Sequence, residues 1–218
     1  GASVIVILAR RAERLEKAAQ AIRAASAHAV ILALAVDLRN PESVRRAGEV
    51  IRQKHGAPHI LCTSCGAGNL YSVEESPHED FYLHFQSTVF TAFNLVKEFL
   101  PDMVTARSGH VVLAGGSPIS RMPFPAAGYK ASRAALRALA ESLREDLHDT
   151  PIRVTLCEPT GISQGSSYFT DNPESAQRLP CASLASLPAF KLLWSTAERT
   201  GADIVNAVEW DRDYYSPL

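Results

Sequence analysis

Short, unbroken apolar runs recur along this chain, each followed by a stretch with helical character. Val4–Ala9 reads VIVILA and Ala29–Val36 reads AVILALAV, with His59–Thr63, His110–Ala114 and Ile152–Glu158 following. Runs of this length, rich in β-branched residues and lacking polar alternation, are expected of strands buried on both faces. Between them lie Ala12–Ala25, rich in Ala, Leu, Glu, Lys and Arg, and a segment ending near His55 that opens on Asn40 as N-cap and Pro41 as first helical residue. Glu74–Thr105 is expected to be helical, with a break at Pro77, as are Ala126–Asp149 and Ala197–Glu209; Tyr214–Tyr215 is placed at the start of a last strand. Strands alternating with helices at this spacing predict an α/β fold: a doubly wound parallel sheet in a three-layer αβα sandwich, one domain over residues 1–218. Ligands then bind beyond the carboxyl ends of the strands. Those ends are Arg10–Arg11, Asp37, Thr63–Gly68, Ala114–Ser117 and Pro159–Gly161.

Composition narrows the partners. A formal net charge of −1 gives no electrostatic reason to expect nucleic acid. No apolar run reaches the ~18 residues that a membrane-spanning helix needs, and the apolar start, Gly1–Leu8, lacks the basic region of a secretory signal. Cys62 and Cys65 have the spacing of a redox motif but follow a strand without opening a helix, and no second cysteine pair or histidine cluster completes a zinc site. The expectation is buried thiols in a reducing cytoplasm and no bound metal.

The segment Gly109–Leu147 joins a buried strand, a loop and a long helix. Tyr129 and Arg133 lie four residues apart and share one face of that helix. A cation near a phenol oxygen favours the phenolate, with an attraction of ~4 kcal/mol at ~4 Å and an effective dielectric of ~20. Lys130, one residue on from Tyr129, points about 100° away around the helix. An ordinary Tyr–Arg contact on a helix is the alternative.

YKASRAALRALAESLREDL resembles the YxASKxAL helix of the short-chain dehydrogenases/reductases. LARRAERLEKAA is similar to that family's second strand and helix, Asp37-Leu38 to its adenine-side pair, HILCTSCGAG to its ILVNNAG region, and EPTGIS to its PG loop. The resemblance covers nearly the whole chain in order and spacing. SSYFTDNPESAQRLP also looks like a stretch in some bacterial members, without indicating a substrate. The family implies a Rossmann-type domain, a nicotinamide dinucleotide and hydride transfer to or from a carbonyl or alcohol carbon.

Carried over position by position, the family's Asn, Ser, Tyr and Lys fall on Thr88, Gly116, Tyr129 and Arg133, with Ser117 one residue after the serine position. The catalytic candidates are therefore Tyr129, Arg133, Ser117 and Thr88. Arg133 supplies charge and can bond ribose hydroxyls, but a guanidinium does not relay a proton. Ser117 would stabilise oxyanion charge, or is a plain turn serine before Pro118. Thr88 would hold a water, or is a helix-interior threonine. The cofactor candidates are Arg10, Arg11, Asp37, Leu38, Cys65, Gly66, Arg133, Pro159, Thr160 and Gly161. Basic residues at 10 and 11, where a NAD-selective member carries an acid, favour NADP(H) over NAD(H); two solvated arginines at a helix start are the alternative. Residues 166–195 are expected to form a lid, with aromatics that suggest an apolar small-molecule substrate; core packing is an equal explanation for them. The resemblance places the alanine-rich helix Ala126–Leu147 at a subunit interface and implies a homodimer or homotetramer; close packing on the sheet of one subunit is the alternative.

The family's glycine-rich loop, TGxxxGIG, is not in this sequence. Gly1–Ser3 reads either as the lead-in to the second strand or, preferred here, as a remnant of that loop. The first strand of such a sheet is central, and removing it leaves unpaired backbone groups in the core. A βα segment of ~20–30 residues beyond those printed is therefore expected, and the abrupt end at Leu218 suggests more at the other terminus. The functional expectation is an NADP(H)-dependent oxidoreductase. The alternatives are a degenerate, non-redox binding or regulatory protein, or a biosynthetic enzyme of other chemistry such as a cyclase or dehydratase.

Overall fold

The computed structural model describes residues 2–116 and 125–158. Among the described residues five strands and five α-helices follow in the order β1 Val4–Ala9, α1 Ala12–Ala25, β2 Val30–Ala35, α2 Pro41–His55, β3 Ile60–Thr63, α3 His78–Phe85, α4 Thr91–Ala106, β4 Gly109–Ala114, α5 Ala127–Asp146 and β5 Ile152–Cys157. All strand pairing is parallel, so the α/β class expected from the sequence is what the chain adopts. The start of α2 follows the sequence closely: the Asn40 side chain accepts from the Glu42 and Ser43 amides and Pro41 takes the first helical position.

The strands form two ladders among the described residues, β1–β2 and β3–β4–β5. Register runs Val4↔Val30 to Ala9↔Ala35 in the first and Thr63↔Leu113, Ala114↔Cys157 in the second. One expectation needs correction here. VIVILA reads as buried on both faces, yet every residue of β1 is half-buried. β1 has a ladder partner on only one edge among the described residues, so neighbours cover it less completely. β3 likewise buries Leu61 and Thr63 while Ile60 and Cys62 are exposed, so Cys62 is not the buried thiol expected. β4 is the true centre: Val111, Val112 and Leu113 are fully buried.

One apolar cluster joins both ladders to the helices. Val44, Ile51, Leu95, Phe99, Met103, Val111, Leu113, Leu136 and Leu143 form it, with Val6, Leu8, Leu32 and Leu34 packed against it. The contact between α2 and α4 is reinforced by Arg52, which pairs with Glu98 and, at 3.1 Å, with Asp102.

The helical stretch after Pro77 does not begin at Glu74; it starts at His78 and runs through a π-helical segment, Gln86–Phe90, into α4. The local chemistry explains the wide turn. Ser87 Oγ donates to the Leu83 carbonyl (2.6 Å) and accepts from the Ala67 amide (2.8 Å), and Thr91 Oγ1 donates to the Ser87 carbonyl (2.8 Å). Hydroxyls that bond back to helix carbonyls satisfy groups that a π-turn leaves without regular partners.

Candidate functional site

The carboxyl ends of β1, β2 and β3 carry the described dinucleotide candidates Arg10, Arg11, Asp37, Leu38, Cys65 and Gly66, while Thr88, Tyr129 and Arg133 come from helices. Ala9 and Ala35 are register partners, so Arg10–Arg11 and Asp37–Leu38 leave adjacent strands side by side. Thr63, Ala114 and Cys157 end the other ladder, from which loop 64–77, Gly115–Gly116 and Glu158 emerge. The Gly115 amide donates to the Cys157 carbonyl at 2.8 Å and holds the turn after β4 against β5.

Tyr129 lies in the first turn of α5 and points back at that turn. A Cβ on residue 116 would overlap the Tyr129 hydroxyl and lie 2.9 Å from Cζ and 3.3 Å from Arg133 Nε. The Arg133 guanidinium carbon sits 5.1 Å from the Tyr129 ring centroid, a cation–π geometry. Arg133 Nη1 also donates to the Cys65 carbonyl, at a long 3.4 Å. A Cβ on Gly66 would meet Arg133 Nη2 at 2.5 Å and Thr88 Oγ1 at 3.7 Å. Glycine at 66 and at 116 thus leaves the space that the guanidinium and the phenol fill.

Thr88 sits inside the π segment, 2% exposed. Its Oγ1 is buried without a partner, and so is Arg133 Nε. Buried polar atoms are nearly always satisfied, and exceptions mark places where a water or ligand atom belongs. Tyr129, Arg133, Thr88, Cys65 and Gly66 are therefore one cluster.

The dinucleotide-side candidates are more open. Arg10 and Arg11 are exposed and Leu38 is buried. Asp37 is half-buried and accepts from Arg39 Nε at 2.9 Å, Nη2 at 2.6 Å and the backbone amide at 3.0 Å. The Arg39 hydrogen bond is the main reason the Asp37 carboxyl is lowered to about 2, with Arg10 adding charge. The resemblance implies that Asp37 belongs to an adenine-side pair; in the structure Arg39 donates to both its carboxylate oxygens. Arg39, a neighbour two residues on, was the missed partner. The Cys65 thiol is pushed up, chiefly by burial, against smaller opposing effects of Thr91, Arg133 and Arg10.

A second missed group lies behind Tyr129. His84, at the end of α3, is 3% exposed. Its Nε2 bonds the Asn69 carbonyl at 2.8 Å, and its ring meets that of Tyr129 edge-on, with centroids 6.4 Å apart and planes at 87°. Burial lowers its pKa most, and Arg133 acts the same way; the Asn69 carbonyl and Asp80 oppose them. Ser117, Pro159, Thr160, Gly161 and the expected lid, last helix and last strand lie outside the described residues. Among the described residues no His, Cys, Asp and Glu grouping could hold a metal ion, and no helix is long and apolar enough to cross a membrane.

The family model for short chain dehydrogenases matches residues 1–172. The chain belongs to the short-chain dehydrogenase family. Among its relatives, a 3-ketodihydrosphingosine reductase of Bacteroides thetaiotaomicron is 30% identical over 140 residues, covering 64% of this chain and 51% of that protein. The chain spans about half the length of that relative and 62% of the C alpha-dehydrogenase of a Sphingobium species. Among solved structures, L-sorbose reductase from Gluconobacter frateurii, complexed with NADPH and L-sorbose, superposes with a TM-score of 0.69 at 23% identity, covering 85% of this chain and 73% of that one. These likenesses bear on the Rossmann-type fold, and membership of the family rests on the match to its model.

Proposed function

We propose that this protein is an NADP(H)-dependent oxidoreductase acting on a carbonyl or alcohol carbon of an apolar small molecule. The observation that carries the reading is the Tyr129–Arg133 pair: a phenol beside the end of β4, with a guanidinium over its ring and a buried, unpartnered Thr88 hydroxyl within the same cluster. The residues present fit a nicotinamide dinucleotide. Arg10 and Arg11 stand where a 2′-phosphate would gain charge-assisted bonds, Asp37 and Leu38 would flank the adenine, and Cys65, Gly66, Arg133, Pro159, Thr160 and Gly161 would line the rest of its path.

When bound, the dinucleotide would supply or accept the hydride. Tyr129 is the proton donor or acceptor at the substrate oxygen. Arg133 lies over its ring and bonds the ribose hydroxyls. Ser117 donates to the developing oxyanion. Thr88 Oγ1 holds a water that carries protons to and from the site, a task the permanently charged guanidinium does not perform. A homodimer or homotetramer in the cytoplasm completes the reading, with the alanine-rich face of α5 as its contact.

NADPH fluorescence titration tests the first requirement, and turnover of a panel of apolar ketones and alcohols, followed by nicotinamide absorbance, tests the second. Failure to bind either dinucleotide sinks the reading. Binding without turnover favours a non-redox binding protein, a reading supported by arginine in place of the family's lysine.

A further inference from the structure

We infer that His84 is a positioning residue for Tyr129, acting through the first turn of α5; the inference rests on the proposed role of Tyr129. His84 is not adjacent in sequence to any candidate, yet four observations converge on it. Its ring fills the space where a side chain on Gly128 would lie: a Cβ there would come within 2.5 Å of His84 Cδ2. Gly128 directly precedes Tyr129. On its other side the ring lies against Gly68, whose φ of +124° suits glycine and where a Cβ would meet ring carbons at 2.6 Å. The same ring touches Tyr129 edge-on.

The fourth observation is how the ring is aimed. Nε2 donates to the Asn69 carbonyl, which makes Nε2–H the tautomer of the neutral imidazole. Asn69 is itself fixed: its amide donates to the Asp80 carboxylate at 3.0 and 3.2 Å and its side-chain amide at 3.0 Å. Asp80 and His84 are i and i+4 on α3, with Oδ2 and Nε2 3.5 Å apart. Asp80, Asn69 and His84 therefore form a closed clamp between α3 and loop 64–77. The Ala127 amide, donating to the Tyr71 carbonyl at 2.9 Å, ties the start of α5 to the same loop.

The consequence is geometric. Tyr129 stands between two walls, Gly116 in front and His84 behind. Its hydroxyl reaches the turn after β4 because the imidazole fills the space at its back and Gly128 admits that ring. An aligned reacting group displaced by ~1 Å can lose ~100-fold in rate. His84 itself touches none of the atoms assigned to the reaction.

The test compares the full-length protein with its His84→Ala, His84→Phe and His84→Gln variants. Two readouts are taken: kcat with the dinucleotide KM, and the rate of nitration at each tyrosine by peptide mass spectrometry. His84→Ala is expected to lower kcat about 10- to 100-fold with little change in KM, and to raise nitration of Tyr129 relative to exposed Tyr82. His84→Phe, which keeps the ring, is expected to recover most of both. His84→Gln, which keeps a donor for Asn69 but not the ring, should behave like His84→Ala and serves if His84→Ala does not fold. Unchanged Tyr129 nitration, an equal rise at all tyrosines, or a variant that loses only dinucleotide affinity overturns the inference. A wild-type protein that binds no dinucleotide sinks the dehydrogenase reading instead, and nitration still decides the role of His84.

Discussion

The hydroxyl of Tyr129 occupies the space into which any side chain at position 116 would project. This explains why serine at that position, which the family pattern calls for, is not simply missing here. Phenol and serine could not both stand as the structure has them. Gly116→Ala is expected to displace the phenol and to destabilise the fold by about 1–3 kcal/mol, as overpacking typically does. Gly116→Ser should do the same while lowering kcat. Thermal unfolding and kcat together check this, and a Gly116→Ser variant that gains activity without loss of stability would show that the phenol readily yields its place.

Arg133→Lys separates a working arginine from a damaged lysine site. The guanidinium lies over the Tyr129 ring while reaching the Cys65 carbonyl. An ammonium is a point charge and does not reproduce that planar fork. The expected outcome is a fall in kcat/KM of about tenfold, equivalent to about 1.4 kcal/mol, measured over the carbonyl panel. A gain would mean that arginine holds the site in a crippled state.

Thr88 offers a case where stability and activity should move in opposite directions. Its buried hydroxyl has no partner, so Thr88→Val replaces an unsatisfied polar atom with a methyl of similar size. Removing such an atom is neutral or stabilising, by up to about 1 kcal/mol. If Thr88 holds a catalytic water, kcat falls while the melting temperature holds or rises. A fall in both would assign Thr88 to the fold alone.

Much of the architecture was legible because apolar run length and capping residues act locally. Asn40 and Pro41 set α2, and VIVILA and AVILALAV set β1 and β2. Tyr129 and Arg133 were legible because four residues is one helical turn. The contacts that aim them were not. The imidazole of His84 meets Gly128 and Tyr129 only after α3 packs on α5, and the π segment depends on Ser87 reaching Ala67 across the loop. The cluster of Ser87, Thr88 and Thr91 in mid-helix was the available signal, since hydroxyls there compete for backbone carbonyls. The half-burial of β1 was equally out of reach, because apolar composition does not say how many neighbours a strand finds.

The proposed reading gives the dinucleotide preference to the arginines after β1. Arg10→Glu combined with Arg11→Glu should abolish any advantage of NADPH over NADH, because the acids repel a 2′-phosphate and can accept from a 2′-hydroxyl. The check is the ratio of kcat/KM for the two dinucleotides at low and moderate salt. Wild-type preference for NADPH should weaken as salt rises, since exposed charges are screened. Equal ratios before and after the substitutions would remove Arg10 and Arg11 from the site.

The Asp37–Arg39 pair gives a pH signature whose sign is fixed. The folded carboxyl titrates at about 2, below its ordinary 3.8. Between those values the unfolded chain binds more protons than the folded one, so stability from this group rises with pH there. It is fully present above about pH 4 and is lost as pH falls towards 2. Both side chains are about one-third exposed, so solvent screening holds the contribution to at most about 1 kcal/mol. Arg39→Ala should therefore lower stability slightly at pH 7, and the gap from wild type should close between pH 4 and 2. Denaturant unfolding across that range measures it. A gap that persists at pH 2 would mean that Arg39 stabilises the turn by packing, independently of the Asp37 charge.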